Sequence, residues 1–254
     1  MTIHLLFVGQ NFNFMKHIVD RFRQEPGYEV QTDQWQGHDH HDEARSREKL
    51  EWADVIVTNW LLGNAVWYSQ HKKSGQLLFT CYHRFEIDTP YPHQLELSNV
   101  DAVVSSSRIF QSKIEQLIGL PKKQSKFISI SVPCSNFQKP KMPGFEYHLG
   151  LLGFNRRLKG LHRALDVWEK LAAADARYKL FIKGSSPKET GWVWRDPTEN
   201  QYFTEQFTRI EQSPFRDRVI FEPFGDDVAT WLSKIGYVLS VSDFESFHSA
   251  VAEG

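Results

Sequence analysis

Ser240–Gly254 reads S-V-S-D-F-E-S-F-H-S-A-V-A-E-G. The run just before and into it, Tyr237 to Val241, is apolar and β-branched and predicts a buried strand. Asp243, Glu245 and Ser246 break that run. Phe247, Ala250 and Val251 then recur at i, i+3 and i+4, which predicts a helix over Phe247 to Glu253. The unit is a strand, a short turn and a helix start, flanked by the carboxylates of Glu245 and Glu253. Eight residues of helix span about 12 Å, whereas two carboxylates serving one glycosidic bond stand roughly 5 to 9.5 Å apart. The pair therefore suits two ends of an elongated ligand, with backbone N–H groups of a helix start between them for an anion. A solvated turn Glu and a surface-helix Glu give the same pattern.

The same strand–turn–helix alternation runs back through the chain. In the second half, strands are predicted at Tyr147 to Gly153, Tyr178 to Gly184, Arg218 to Phe221 and Tyr237 to Ser242. Helices fall at Leu158 to Ala174, Gln201 to Ser213 and Asp227 to Ile235. In the first half, strands are predicted at Ile3 to Gly9, Tyr28 to Trp35, Asp54 to Asn59, Gln76 to Tyr82, Asp101 to Ser106 and Phe127 to Val132. Helices there are Asn13 to Glu25, with Phe14, Ile18 and Phe22 on one face, Ser46 to Trp52, and Ser107 to Ile118, which Gly119 and Pro121 end. Alternation of this kind means α/β architecture with doubly wound parallel sheets. Ser135 to Gly144 (S-N-F-Q-K-P-K-M-P-G) has no apolar period and reads as a linker. It separates two Rossmann-like domains, residues 1–138 and 145–254. The second offers four strands where about six are usual, so the ending at Gly254 reads as a truncation that would weaken donor binding.

Composition narrows the classes of function. The 254 residues carry a formal charge of −1 with mixed signs, so no field for nucleic acid or acidic lipid is expected. No apolar run approaches the ~20 residues of a membrane span, and Met1 to Gly9 lacks the charged start of a signal peptide. Cys81 and Cys134 are the only cysteines, which suggests a reducing, cytoplasmic setting.

Three further stretches carry chemistry. Gly153 to Gly160 (G-F-N-R-R-L-K-G) ends a strand and opens a helix, placing Arg156, Arg157 and Lys159 where α/β folds bind ligands. A basic surface helix start is the plain alternative. Phe181 to Pro187 (F-I-K-G-S-S-P) carries Gly184, where backbone can come close to a ligand. Trp192 and Trp194 follow, as a wall for a base or sugar or as domain packing. His38 to Asp42 (H-D-H-H-D) could ligate a metal, but no second cluster supports it and a solvated loop is the reading adopted. No metal site is predicted.

Taken with Glu245-x7-Glu253, these stretches resemble the retaining, GT-B-fold glycosyltransferases of family 4. Lys159-Gly160 stands in register with Gly153 as in that family, although Phe154 occupies the place of its arginine. Val219 to Gly225 resembles the family's strand before the E-x7-E unit. His83, in C-Y-H-R-F-E, matches a histidine that many members turn toward the donor sugar. Val132-Pro133-Cys134-Ser135-Asn136 lacks the glycine of the family's turn. The resemblance implies transfer of a hexose from a UDP- or GDP-sugar to an acceptor hydroxyl, with retention and with no cofactor. The acceptor would be a saccharide or a lipid-linked molecule, the latter bringing peripheral membrane association. His83 and Glu245 would be the catalytic pair. Arg156, Arg157, Lys159, Gly184 and Glu253 would hold the nucleotide. A nucleotide-sugar-binding protein without transfer activity, or an inactive fragment, is the alternative.

Overall fold

The computed structural model describes residues 2–13, 15–132, 134–245 and 247–254. Met1, Phe14, Pro133 and Ser246, read above as parts of a strand run, a helix face and two turns, lie outside the described residues. The chain divides into two compact units, residues 1–131 and 132–254.

The first unit alternates β1 (Ile3–Gly9), α1 (Lys16–Gln24), β2 (Tyr28–Gln34), α2 (Glu43–Trp52), β3 (Val55–Asn59), α3 (Gly63–His71), β4 (Leu77–Tyr82), β5 (Ala102–Ser105), α4 (Arg108–Ile118) and β6 (Ser125–Phe127). The strands pair in parallel in the order β2-β1-β3-β4-β5-β6. Leu6, Val8, Ile56, Leu78 and Val103 build one core with Leu50, Tyr68 and Phe110 from the helices. Leu5, Phe7, Met15 and Val19 build a second on the opposite face. Central parallel strands are covered on both sides, which is why they read as unbroken apolar runs.

The second unit runs β7 (His148–Leu152), α5 (Leu161–Ala174), β8 (Lys179–Lys183), α6 (Gly191–Arg195), α7 (Pro197–Gln212), β9 (Val219–Glu222), α8 (Val228–Leu232), β10 (Tyr237–Val238) and α9 (Ser249–Glu253). Its parallel order is β10-β7-β8-β9. The α/β, doubly wound reading of both halves holds. Residues 135–144, read as a linker, are tied to this second unit. Lys139 Nζ donates to Thr230 Oγ1, Lys141 Nζ to the Leu232 and Ile235 carbonyls, and the Met142 amide to the Ser233 carbonyl.

Three elements differ from the sequence reading. The strand expected over Phe127 to Val132 is Ser125–Phe127. It is the edge strand, and its partner β5 ends at Ser105, whose carbonyl also accepts from the Ile128 amide at 3.1 Å. The buried strand expected over Tyr237 to Ser242 is a two-residue edge strand paired only with β7, and Tyr237 is 55% exposed. Helix α3 carried no amphipathic signal, because Ala65, Val66, Tyr68 and Ser69 are all buried and so leave no polar face. Among the described residues, no helix is long and apolar enough to cross a membrane.

Candidate active site

In the order β10-β7-β8-β9, the chain steps from β7 to β8 and β9 on one side and then crosses back from β9 to β10 on the other side of β7. Ligands of open α/β sheets lie beyond the strands' C-terminal ends at such a switch point. Two loops meet there in the second unit, one after β7 and one after β10.

Backbone contacts join them. The Asp243 amide donates to the Leu158 carbonyl at 2.8 Å, and Arg163 Nη1 donates to the Val241 carbonyl at 2.6 Å. Arg163 also pairs with Asp243. Gly160, in the left-handed region at φ +76°, lies so close to this second loop that a Cβ would collide with the Val241 carbonyl oxygen. Across the joined loops, Lys159 Nζ lies 2.6 Å from Glu245 Oε1, with both side chains part-buried. Lys159 and Glu245, 86 residues apart, are thus one ion pair.

The other basic residues diverge. Arg156 donates through Nε to Glu199 Oε1 at 3.1 Å and lies over the Trp192 ring at 4.7 Å. The Arg157 amide donates to Glu199 Oε2 at 2.6 Å, while its exposed side chain lines a separate cavity with His162, Arg163, Tyr202, Gln206 and Asp243. Phe154 turns into the core beside Phe221. Of the two tryptophans, Trp192 is exposed beneath Arg156 and Trp194 packs on the core.

Gly184 follows β8 at φ +145°, and a Cβ there would sit 3.3 Å from the Gly153 Cα. The ends of β7 and β8 therefore close on each other through two glycines. Beside them opens a cavity of about 420 Å³ lined by Phe154, Gly184, Phe207, Phe221, Glu222 and Pro223 among others.

Glu253 ends α9, and burial raises its carboxyl above the usual carboxylate range. The helix expected over Phe247 to Glu253 spans only Ser249–Glu253, so its summed dipole is small. His83 lies in the first unit just beyond β4, its ring 4.3 Å from that of Trp60. Burial lowers its imidazole to about 4, so the ring is neutral near pH 7.

Four residues escaped the sequence reading. Glu199, 7% exposed, holds the Arg156–Arg157 turn from the first turn of α7. Its signal was present in D-P-T-E, where Asp196 caps the helix by accepting from the Thr198 and Glu199 amides. Lys183 is buried at the end of β8, where it pairs with Asp227 at 2.7 Å and donates to the Pro223 carbonyl. Burial lowers the pKa of His248, Glu245 raises it and Lys159 lowers it, so His248 shares the field of the ion pair. Glu86 is fully buried, and its Oε1 accepts from the His83 and Leu61 amides. It joins the turns beyond β3 and β4.

The His38–Asp42 stretch is also resolved. His41 stacks on Trp35 at 3.7 Å and contacts Ser46 Oγ, and Asp42 caps α2 by accepting from the Arg45 amide. Among the described residues no group of three or more His, Cys, Asp or Glu side chains could hold a metal ion.

No protein-family model matches the chain, and no curated protein matches it in sequence. Solved structures do match it. HepE from Anabaena, solved with UDP and glucose, aligns over 99% of this chain and 77% of its own, at a TM-score of 0.64 and 16% identity. Sucrose-phosphate synthase from Thermosynechococcus elongatus aligns over 99% and 78%, at 0.65 and 15%. A glycosyltransferase from Rickettsia africae aligns over 100% and 76%, at 0.66 and 12%. The fold is that of the GT-B glycosyltransferases. At these identities the likeness speaks for the fold, and the chemistry has to be argued from the chain's own residues.

Proposed function

We propose that the chain transfers a hexose from a nucleoside-diphosphate sugar to an acceptor hydroxyl with retained configuration, in the manner of family 4. One observation carries this reading, the Lys159–Glu245 pair at the switch point of the second sheet. In the transfer, the bond from the anomeric carbon to the diphosphate breaks, a bond to the acceptor oxygen forms, and the acceptor proton passes to the departing phosphate. Negative charge develops on that phosphate, and a cation already in place stabilises it. Lys159 supplies that cation. Arg156, steadied by Glu199 and Trp192, adds a second, and Arg157 takes that part if Arg156 keeps its partner. Glu245 accepts from sugar hydroxyls and Glu253 from the ribose. The base occupies the cavity beside Gly184. His83, neutral near pH 7, acts on the sugar. HepE was also solved with UDP-glucose, which favours a uridine donor here. The acceptor is a saccharide or a lipid-linked molecule.

Calorimetry with UDP-, GDP- and ADP-glucose, followed by NMR of the product's anomeric proton, tests the reading. The expected result is binding of the uridine nucleotide and a product with the donor's α configuration. A protein that binds none of the three would end the transferase proposal. Donor binding with no transfer to any acceptor would make the chain a nucleotide-sugar-binding protein.

Lys159→Ala and Glu253→Ala are each expected to lower donor affinity more than tenfold. Loss of a hydrogen bond to a charged group costs about 1.5–3 kcal/mol. Unchanged nucleotide affinity in both variants would remove the assignment of this site.

Transfer is expected to persist in EDTA. The sequence has no Asp-x-Asp motif at a strand end, and Lys159 with an arginine can neutralise the diphosphate. Activity lost to EDTA and restored by manganese would reverse this expectation.

A further inference from the structure

β3 and β4 are neighbours in the first sheet, with Asn59 and Cys81 in register at their ends. The turns beyond them therefore start side by side. Trp60 begins the first turn at φ +83°, in the left-handed region that bulky residues rarely enter. Among the described residues it is the one non-glycine residue there. His83 begins the second turn, and the short helical turn Phe85–Asp88 follows it. The Trp60 ring lies 4.3 Å from that of His83 and 5.1 Å from that of Phe85. Backbone strain of this kind persists only where the surroundings impose it, and it gathers at functional sites.

Glu86 imposes it here. Its side chain is fully buried, and its Oε1 accepts from the Leu61 amide at 3.3 Å and the His83 amide at 3.1 Å. The first bond sets the peptide that leaves Trp60, and the second sets the peptide that enters His83. The Glu86 carbonyl accepts from the Thr89 amide at 3.0 Å and from Thr89 Oγ1 at 2.7 Å, which holds the acid's own backbone. One oxygen thus fixes both sides of the Trp60–His83 contact. Arg156, Arg157, Lys159, Gly184 and Glu253, the residues assigned to the nucleotide, all belong to the second unit, whereas Trp60, His83 and Glu86 belong to the first. A defect at this contact should therefore slow turnover and spare nucleotide affinity.

We propose that Glu86 is a positioning residue for the transfer. It holds Trp60 in its strained conformation and sets the His83 ring against the indole, in the orientation from which His83 acts on the sugar. The part in turnover rests on the transferase reading. The tie between the two turns does not, and it is measured without substrate.

The test uses the full chain at pH 6 with two variants. Glu86→Met fills the space but has no oxygen, and Glu86→Gln keeps one. Amide hydrogen exchange, read by NMR, is expected to quicken at least tenfold at Leu61 and His83 in Glu86→Met while the amides of β1 keep their native rates. In Glu86→Gln both amides should stay within threefold of native. With UDP-glucose as donor, kcat for UDP release is expected to fall at least thirtyfold in Glu86→Met and to stay within threefold of native in Glu86→Gln. UDP affinity by calorimetry should stay within twofold in both. Trp60→Gly suits φ +83° and removes the ring. It is expected to keep both amides protected and to lower kcat at least tenfold. A folded Glu86→Met chain with native kcat would overturn the proposal, and so would unchanged exchange at both amides. A loss in Glu86→Gln as large as in Glu86→Met would also overturn it, because the charge would then matter and not the positioning oxygen. If Glu86→Met does not fold, Trp60→Gly decides, since native kcat there removes the ring pair from the reaction. A native chain that releases no UDP ends the transferase reading, and the exchange rates still decide whether Glu86 holds the two turns.

Discussion

Glu86→Gln is expected to make the protein about 3 kcal/mol more stable than the native chain at pH 8, and to leave its stability unchanged below pH 4.5. Burial raises the Glu86 carboxyl to about 7 from an ordinary value of 4.5, against the His83 and Leu61 amide hydrogen bonds that favour its charge. Between these values the fold keeps a proton that the unfolded chain has released. The resulting stability is complete below pH 4.5 and is lost as pH rises through 7, by about 3 kcal/mol. Glutamine keeps an oxygen for the two amides and never ionises, so it escapes that loss.

His83 works in the opposite sense. Its imidazole is lowered from 6.5 to about 4 by burial. The stability tied to its neutral form is complete above pH 6.5 and is lost as pH falls through 4. From pH 4.5 to 6.5 the two slopes oppose each other, and the native chain should show little net dependence from this pair. Glu86→Gln should uncover the rising limb and His83→Gln the falling one. Urea unfolding midpoints at pH 4.5, 6 and 8 measure both. A constant difference between the native chain and Glu86→Gln at all three pH values would show that Glu86 is not the titrating acid. The acid joins the two turns that carry Leu61 and His83.

Asp33→Ala is expected to cost about 3–5 kcal/mol, the range for breaking a buried charge pair. Asp33 is 3% exposed, and its Oδ2 accepts from Trp35 Nε1, Ser46 Oγ and Tyr68 OH at 2.7 to 2.9 Å. Lys49 Nζ stands 3.7 Å from its Oδ1. Alanine takes the shared acceptor from three donors and the counter-charge from a lysine that burial already holds below its usual range. Domains are stable by only about 5–15 kcal/mol, so the urea midpoint of the first unit should fall steeply. Asp33→Asn retains one acceptor oxygen and should lose less. An unchanged midpoint in Asp33→Ala would show that the network adds no net stability.

Much of the architecture was legible in the sequence because parallel strands buried on both faces must be apolar throughout. Ile3 to Gly9 matches its strand residue for residue, and Gly119 ends α4 in the left-handed region at φ +63° as its position suggested. Lys159 and Glu245 were legible as separate candidates, since each stands at a strand-to-helix turn. Their union was not, because 86 residues separate them and only the sheet order β10-β7-β8 brings their loops together. The fate of Phe154 and the anchoring of Arg156 and Arg157 by Glu199 likewise depended on which side of a turn met which helix. Edge strands misled the reading, since Tyr237 to Val241 is as apolar as a central strand but has a neighbour on one side only. Sequence period reports how a segment is buried. Which segments become neighbours is set by crossover connections, and those connections placed Trp60 against His83 and Lys159 against Glu245.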